Sequence, residues 1–127
     1  MILHLKQYHH ESSTWQRLLD FLRQENAFLK SRLSEFLDSK EDKNFIPIAE
    51  QFQNEFLLKD DYIMELKKDI NDLQKQFKTL WNSDEAVILP LLKKQDKLRN
   101  EMKHLETNFS ELKNRFYDIL DPEVQAS

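Results

Sequence analysis

Between Pro47 and Trp81 apolar residues recur at alternating steps of four and three: Ala49, Phe52, Phe56, Ile63, Leu66, Ile70, Leu73, Phe77 and Leu80. The one slot of this series that holds a charge is Lys59. A repeat averaging 3.5 residues keeps a single stripe of an α-helix apolar, so a stripe of this length must be buried lengthwise against other long helices. We call that stripe the seam.

Two further stretches carry the same spacing. Trp15, Leu19, Leu22, Asn26, Leu29, Leu33 and Phe36 form a first seam, which continues backwards in phase through Ser12, Tyr8 and Leu5. Leu91, Leu98, Met102, Leu105, Phe109, Leu112, Phe116 and Ile119 form a third. Helix one has two candidate starts, at the Ser12-Ser13-Thr14 hydroxyls or near residue 2. The longer version is preferred because matched helix lengths let every turn bury its seam. The reading is all-α: helices at about 2–38, 47–82 and 84–121, with a frayed tail at 122–127.

The connections fit this reading. Ser39 to Asn44 is polar and charged, and Pro47 sits in a first helical turn, where its missing N–H costs nothing. Asn82-Ser83-Asp84-Glu85 makes the second break, with Asn82 expected in the left-handed conformation and Ser83 or Asp84 as cap. Prolonging the second repeat would put Asp84 and Val87 in the seam, so the phase changes here. Pro90 either kinks a third helix that starts near Ser83 or opens that helix itself, and the first is preferred. Two short connections make neighbouring helices antiparallel. The expected fold is therefore one elongated up-down-up three-helix bundle over residues 1–121 with coiled-coil-like heptad packing.

Composition supports a packed helical domain. Among 127 residues there are no glycines and three prolines, which removes the usual hairpin turns, and 33% are charged, enough for a solvated outer face. The net charge of −4 argues against holding nucleic acid by neutralising many phosphates. The absence of cysteine excludes disulfides and thiolate metal sites. No apolar run approaches the roughly 20 residues of a membrane span, and Met1 to Lys6 is too short for a signal-peptide core, so a cytoplasmic protein is expected.

No catalytic or cofactor signature is present, and without glycine no phosphate-binding loop can form. Counting turns sets Asn26 beside Lys59 and near Asn108, and Ser12 level with Gln95. These four seam residues, Ser12, Asn26, Lys59 and Gln95, are expected to set register, since polar seam positions cost stability and exclude slipped pairings. Glu101 and His104 have the Glu-x-x-His spacing of carboxylate metal bundles, but once only and outside the seam. His4, His9, His10 and Glu11 cluster near the start, yet adjacent residues point about 100° apart on a helix. A metal-binding bundle built on either set is the first alternative function. A nucleic-acid binder using Lys93, Lys94, Lys97, Arg99 and Lys103 is the second; Asp96, Glu101 and Glu106 interrupt that flank and no aromatic interleaves it for stacking.

The departures that point to function are apolar residues off the seams: Phe21 and Phe28 on helix one, and Leu57, Leu58 and Met64 on helix two. A first helix packed between two others would bury its extra stripe within a monomer, whereas Leu57 and Met64 are harder to hide. All five are candidate contacts for a protein partner or a second copy, making the expected function a non-enzymatic adaptor, scaffold or regulator. No cofactor is expected.

Overall fold

The computed structural model describes the backbone of residues 2–39 and 43–120 and the side chains of residues 5–39 and 44–120. They form three long helices, α1 (Ile2–Ser39), α2 (Ile46–Leu80) and α3 (Glu85–Leu120), with a single 3₁₀ turn, Lys43–Phe45, before α2. At about 1.5 Å per residue each helix is roughly 50 Å or slightly more in length. The expected frayed tail at 122–127 lies outside the described residues.

The three seams meet in one core. Leu19 and Leu29 of α1, Phe56, Ile63, Leu66 and Ile70 of α2, and Met102, Leu105, Leu112 and Phe116 of α3 are almost completely excluded from solvent. Hydrogen bonds between helices give the topology. Moving up α1 from Gln16 through Asp20 to Lys30, the partners descend α2 from Asn71 through Lys67 to Asp60, so α1 and α2 are antiparallel. Glu55 pairs with Arg115 and Gln76 with Lys94, so α2 and α3 are antiparallel too. Arg99–Glu11 and Lys113–Glu25 both join residues 88 apart, which makes α1 and α3 parallel. This is an up-down-up three-helix bundle.

The helix boundaries have local causes. α1 runs unbroken through Ser12-Ser13-Thr14, and the Thr14 hydroxyl donates to the His10 carbonyl at 3.0 Å, as a threonine inside a helix does, instead of capping a new one. Pro47 occupies the opening of α2. At the second break the left-handed Asn82 is not found: no described residue has a positive φ. α2 closes through a right-handed Trp81 and a tight turn in which the Ser83 N–H donates to the Leu80 carbonyl at 2.9 Å. A turn of this kind needs no glycine. The Asp84 carbonyl then accepts the Val87 and Ile88 N–H groups and opens α3. The phase does change, since α3 buries Ile88 and leaves Val87 exposed. Pro90 lies inside α3, and the carbonyl its ring deprives of a donor belongs to the exposed Ala86, where water can serve.

α1 and α3 approach each other least of the three pairs, so α2, not α1, is the shared middle helix. Phe21 and Phe28 consequently remain about half exposed.

Ile70 of α2 and Phe109 of α3 are both buried in the core. Replacing either by Asp should cost about 5 kcal/mol or more, through lost burial and an unpaired buried charge, comparable to the whole stability of a small domain. Far-ultraviolet circular dichroism should show loss of helix; a helical variant with an unchanged denaturation midpoint would contradict this packing.

Candidate functional site

Two polar layers interrupt the core. In the first, Gln95 is completely buried, and its Nε2 donates to Ser12 Oγ at 3.4 Å and to Glu11 Oε1 at 3.0 Å. Arg99 closes the layer from the solvent side, with Nε and Nη2 donating to the two Glu11 oxygens at 2.8 and 2.7 Å and Nη1 to Asp96 at 2.6 Å. A planar guanidinium matches a carboxylate in this two-pronged way. Burial pushes the Glu11 carboxyl up, but the donors from Arg99 and Gln95 outweigh it and hold the group below its usual 4.5. The same contacts raise the Arg99 pKa still further.

In the second layer Asn26, also completely buried, donates from Nδ2 to the Phe56 carbonyl at 2.8 Å and to Asp60 Oδ1 at 2.7 Å. Lys30 pairs with the other oxygen of Asp60. At the level where the count sets Lys59, the side chain that Asn26 bonds is Asp60, while Lys59 is half-buried beside it in sequence and Asn108 lies exposed on α3. A count by whole turns cannot separate adjacent residues, and only one of the two points toward α1.

The off-seam apolar residues do not assemble into one patch. At about 100° per residue, Leu57 and Met64 stand just outside the Asp60, Lys67 and Asn71 edge of α2, which bonds α1. Leu58, 67% exposed, points away on the other side of α2, toward the flank where Glu55 meets Arg115. Phe21 and Phe28 stand outside the Glu25 edge of α1, next to α3. Three flanks of the bundle therefore hold five residues, and only the pairs spaced by seven share a flank.

The basic residues of α3 are similarly dispersed. Lys94 bonds Gln76 on α2, Arg99 turns to Glu11 on α1, and Lys97 lies 3.9 Å from Glu101. Glu101 is half-buried and His104 exposed. His9 and His10 are exposed, and the side chain of His4 lies outside the described residues. Among the described residues no three His, Asp or Glu side chains converge as a metal site would require.

A feature that seam spacing did not reveal lies at the end of the bundle where α1 begins and α2 finishes. Leu5 and Tyr8 of α1 with Phe77 of α2 and Trp81 just past its end wall an apolar cleft of about 550 Å³. The Tyr8 and Phe77 rings stack with centroids 5.5 Å apart and planes 7° from parallel. By spacing alone Leu5, Tyr8 and Phe77 are ordinary seam members. The unusual density of aromatic residues at the ends of two antiparallel seams was the available signal.

The chain matches no protein-family model, and no curated protein and no solved structure gives a significant match. Its class rests on the fold itself, an all-α three-helix bundle.

Both polar layers leave a buried acceptor, Asn26 Oδ1 and Gln95 Oε1, without a protein donor, which makes them costly relative to leucine. Asn26→Leu should raise stability by about 1–2 kcal/mol, since Lys30 still neutralises Asp60. The Asn26→Leu, Gln95→Leu double variant should sediment as a mixture of oligomers once register is released; a destabilised single variant and a homogeneous double variant would refute the register role. Because the folded Glu11 pKa is depressed, its bonds stabilise fully above about pH 4.5 and are lost as pH falls through the lower folded value. Glu11→Gln should therefore lose about 1 kcal/mol at neutral pH, and that gap to wild type should close in acid when chemical denaturation is followed against pH.

Proposed function

We propose that the chain is a non-enzymatic cytoplasmic interaction module, an adaptor, scaffold or regulator, which receives an amphipathic helix from a protein partner or a second copy. The observation that carries this reading is the pair Phe21 and Phe28. They are seven residues apart on one flank of α1, each about half exposed, and that flank borders the side where α1 and α3 approach least. A heptad-spaced aromatic pair beside an open interhelical side is what a further helix packs on. Leu57 and Met64, also seven apart and about half exposed, offer a second contact on the α1–α2 side. Among the described residues no helix is long and apolar enough to cross a membrane, so these apolar side chains do not belong to a spanning segment. Isolated apolar residues are common on protein surfaces, but pairs that repeat the bundle's own spacing extend its packing rule outward.

Phe21→Asp with Phe28→Asp should leave helical content unchanged and weaken association by roughly 2–4 kcal/mol. Sedimentation equilibrium reads self-association, and cross-linking followed by mass spectrometry reads a different partner. The Leu57→Asp, Met64→Asp variant, also expected to fold, ranks the second flank. If wild type and the phenylalanine variant sediment alike and cross-link to the same proteins, the Phe21 and Phe28 flank is not the interface. Loss of helix in that variant would mean the two rings pack within the bundle.

A further inference from the structure

We infer that the end cleft is a binding site for a single-chain fatty carboxylate. This goes beyond the interaction surface above and rests on different residues. The volume of about 550 Å³ falls within the roughly 300–1,000 Å³ range of small-molecule clefts. Its walls are largely apolar and aromatic, from Leu5, Tyr8, Phe77 and Trp81, and Lys6, His9 and Lys78 line it as well.

A smaller depression of about 260 Å³, formed by polar and basic residues, adjoins it, sharing His9, Gln74 and Lys78 and adding Asn71 and Lys75. No carboxylate among the described residues lines either one. Among the described residues the bundle's ion pairs engage Lys30, Arg32, Lys67, Lys97, Arg99, Lys113 and Arg115, and none engages Lys6, Lys75 or Lys78. An apolar slot opening onto a shelf of uncompensated ammonium groups and amides has the polarity of an amphiphile with one tail and an acidic head. The chain lies along the stacked Tyr8 and Phe77 rings, where its burial supplies affinity. The carboxylate meets Lys75 and Lys78 on the shelf, whose point charges recognise an anion without demanding a fixed geometry. A neutral or cationic head would forgo that attraction.

The test uses the 127-residue chain and its own tryptophans, since Trp81 lines the cleft while Trp15 lies buried in the core. Octanoate, decanoate and dodecanoate are titrated below their micelle concentrations while fluorescence is recorded, with decanol and decyltrimethylammonium as head-group controls. Saturable binding that tightens by up to about four-fold per added methylene is expected. Lys75→Glu with Lys78→Glu, both exposed and so not expected to disturb folding, should weaken decanoate roughly ten-fold or more and leave decanol unchanged. Decanol binding as tightly as decanoate, or a double variant that binds decanoate like wild type, overturns the assignment. So does co-sedimentation with anionic phospholipid vesicles in the absence of any decanoate binding, which would make the patch a membrane contact.

Discussion

Burial of the α2 seam is the interaction on which the rest of this bundle depends. α2 packs against both other helices, whereas α1 and α3 approach each other least, so Phe56, Ile63, Leu66 and Ile70 serve two interfaces at once. In an all-helical chain without glycine, the connections contribute little beyond reversal of direction. The break after α2 consists of a right-handed turn and a new helix opened by the Asp84 carbonyl. Cohesion must come from side chains meeting between helices, and a seam repeating every three and four residues supplies it at every turn. At the opposite end from the cleft Phe116 meets Phe52 and Phe56 edge to face, with centroids 5.4 and 5.3 Å away, and Phe52 and Phe56 lie tilted to each other at 6.2 Å.

Apolar seams attract one another in many registers, because shifting a helix by one heptad leaves the pattern almost unchanged. The two polar layers act against that degeneracy. Gln95 can meet Ser12 and Glu11 together in only one alignment of α1 and α3, and Asn26 can reach both the Phe56 carbonyl and Asp60 in only one alignment of α1 and α2. Each layer is closed toward solvent by a cation, Arg99 in one and Lys30 in the other. The arrangement keeps the buried amides in contact with water-facing charge, which lowers the cost of interrupting the core.

With the core so occupied, binding chemistry is left to the outside and the ends. The flank residues Phe21 and Phe28 repeat the spacing of the core and so suit another helix. The end cleft combines aromatic walls with a basic shelf and suits a small amphiphile. The two features lie on different parts of the bundle, so occupation of one need not obstruct the other.

The residue pattern by itself determined that the chain is all-helical, that it has three helices of similar length, where Pro47 opens the second, and, Ile88 apart, which apolar residues are buried. Spacing decides these things, because an α-helix places every third and fourth residue on one face wherever it lies. It also placed Ser12 level with Gln95, which the hydrogen bond between them bears out. Tertiary structure alone decided which helix stands in the middle, that Asn26 bonds Asp60 while Lys59 does not take that place, and that five off-seam apolar residues fall on three separate flanks. It alone decided that the basic residues of α3 turn to different neighbours and that two seam ends part around a cleft. The physical reason is that periodicity fixes a residue's angle on its own helix, while partners and cavities depend on the relative rotation and separation of two helices, which no single helix encodes.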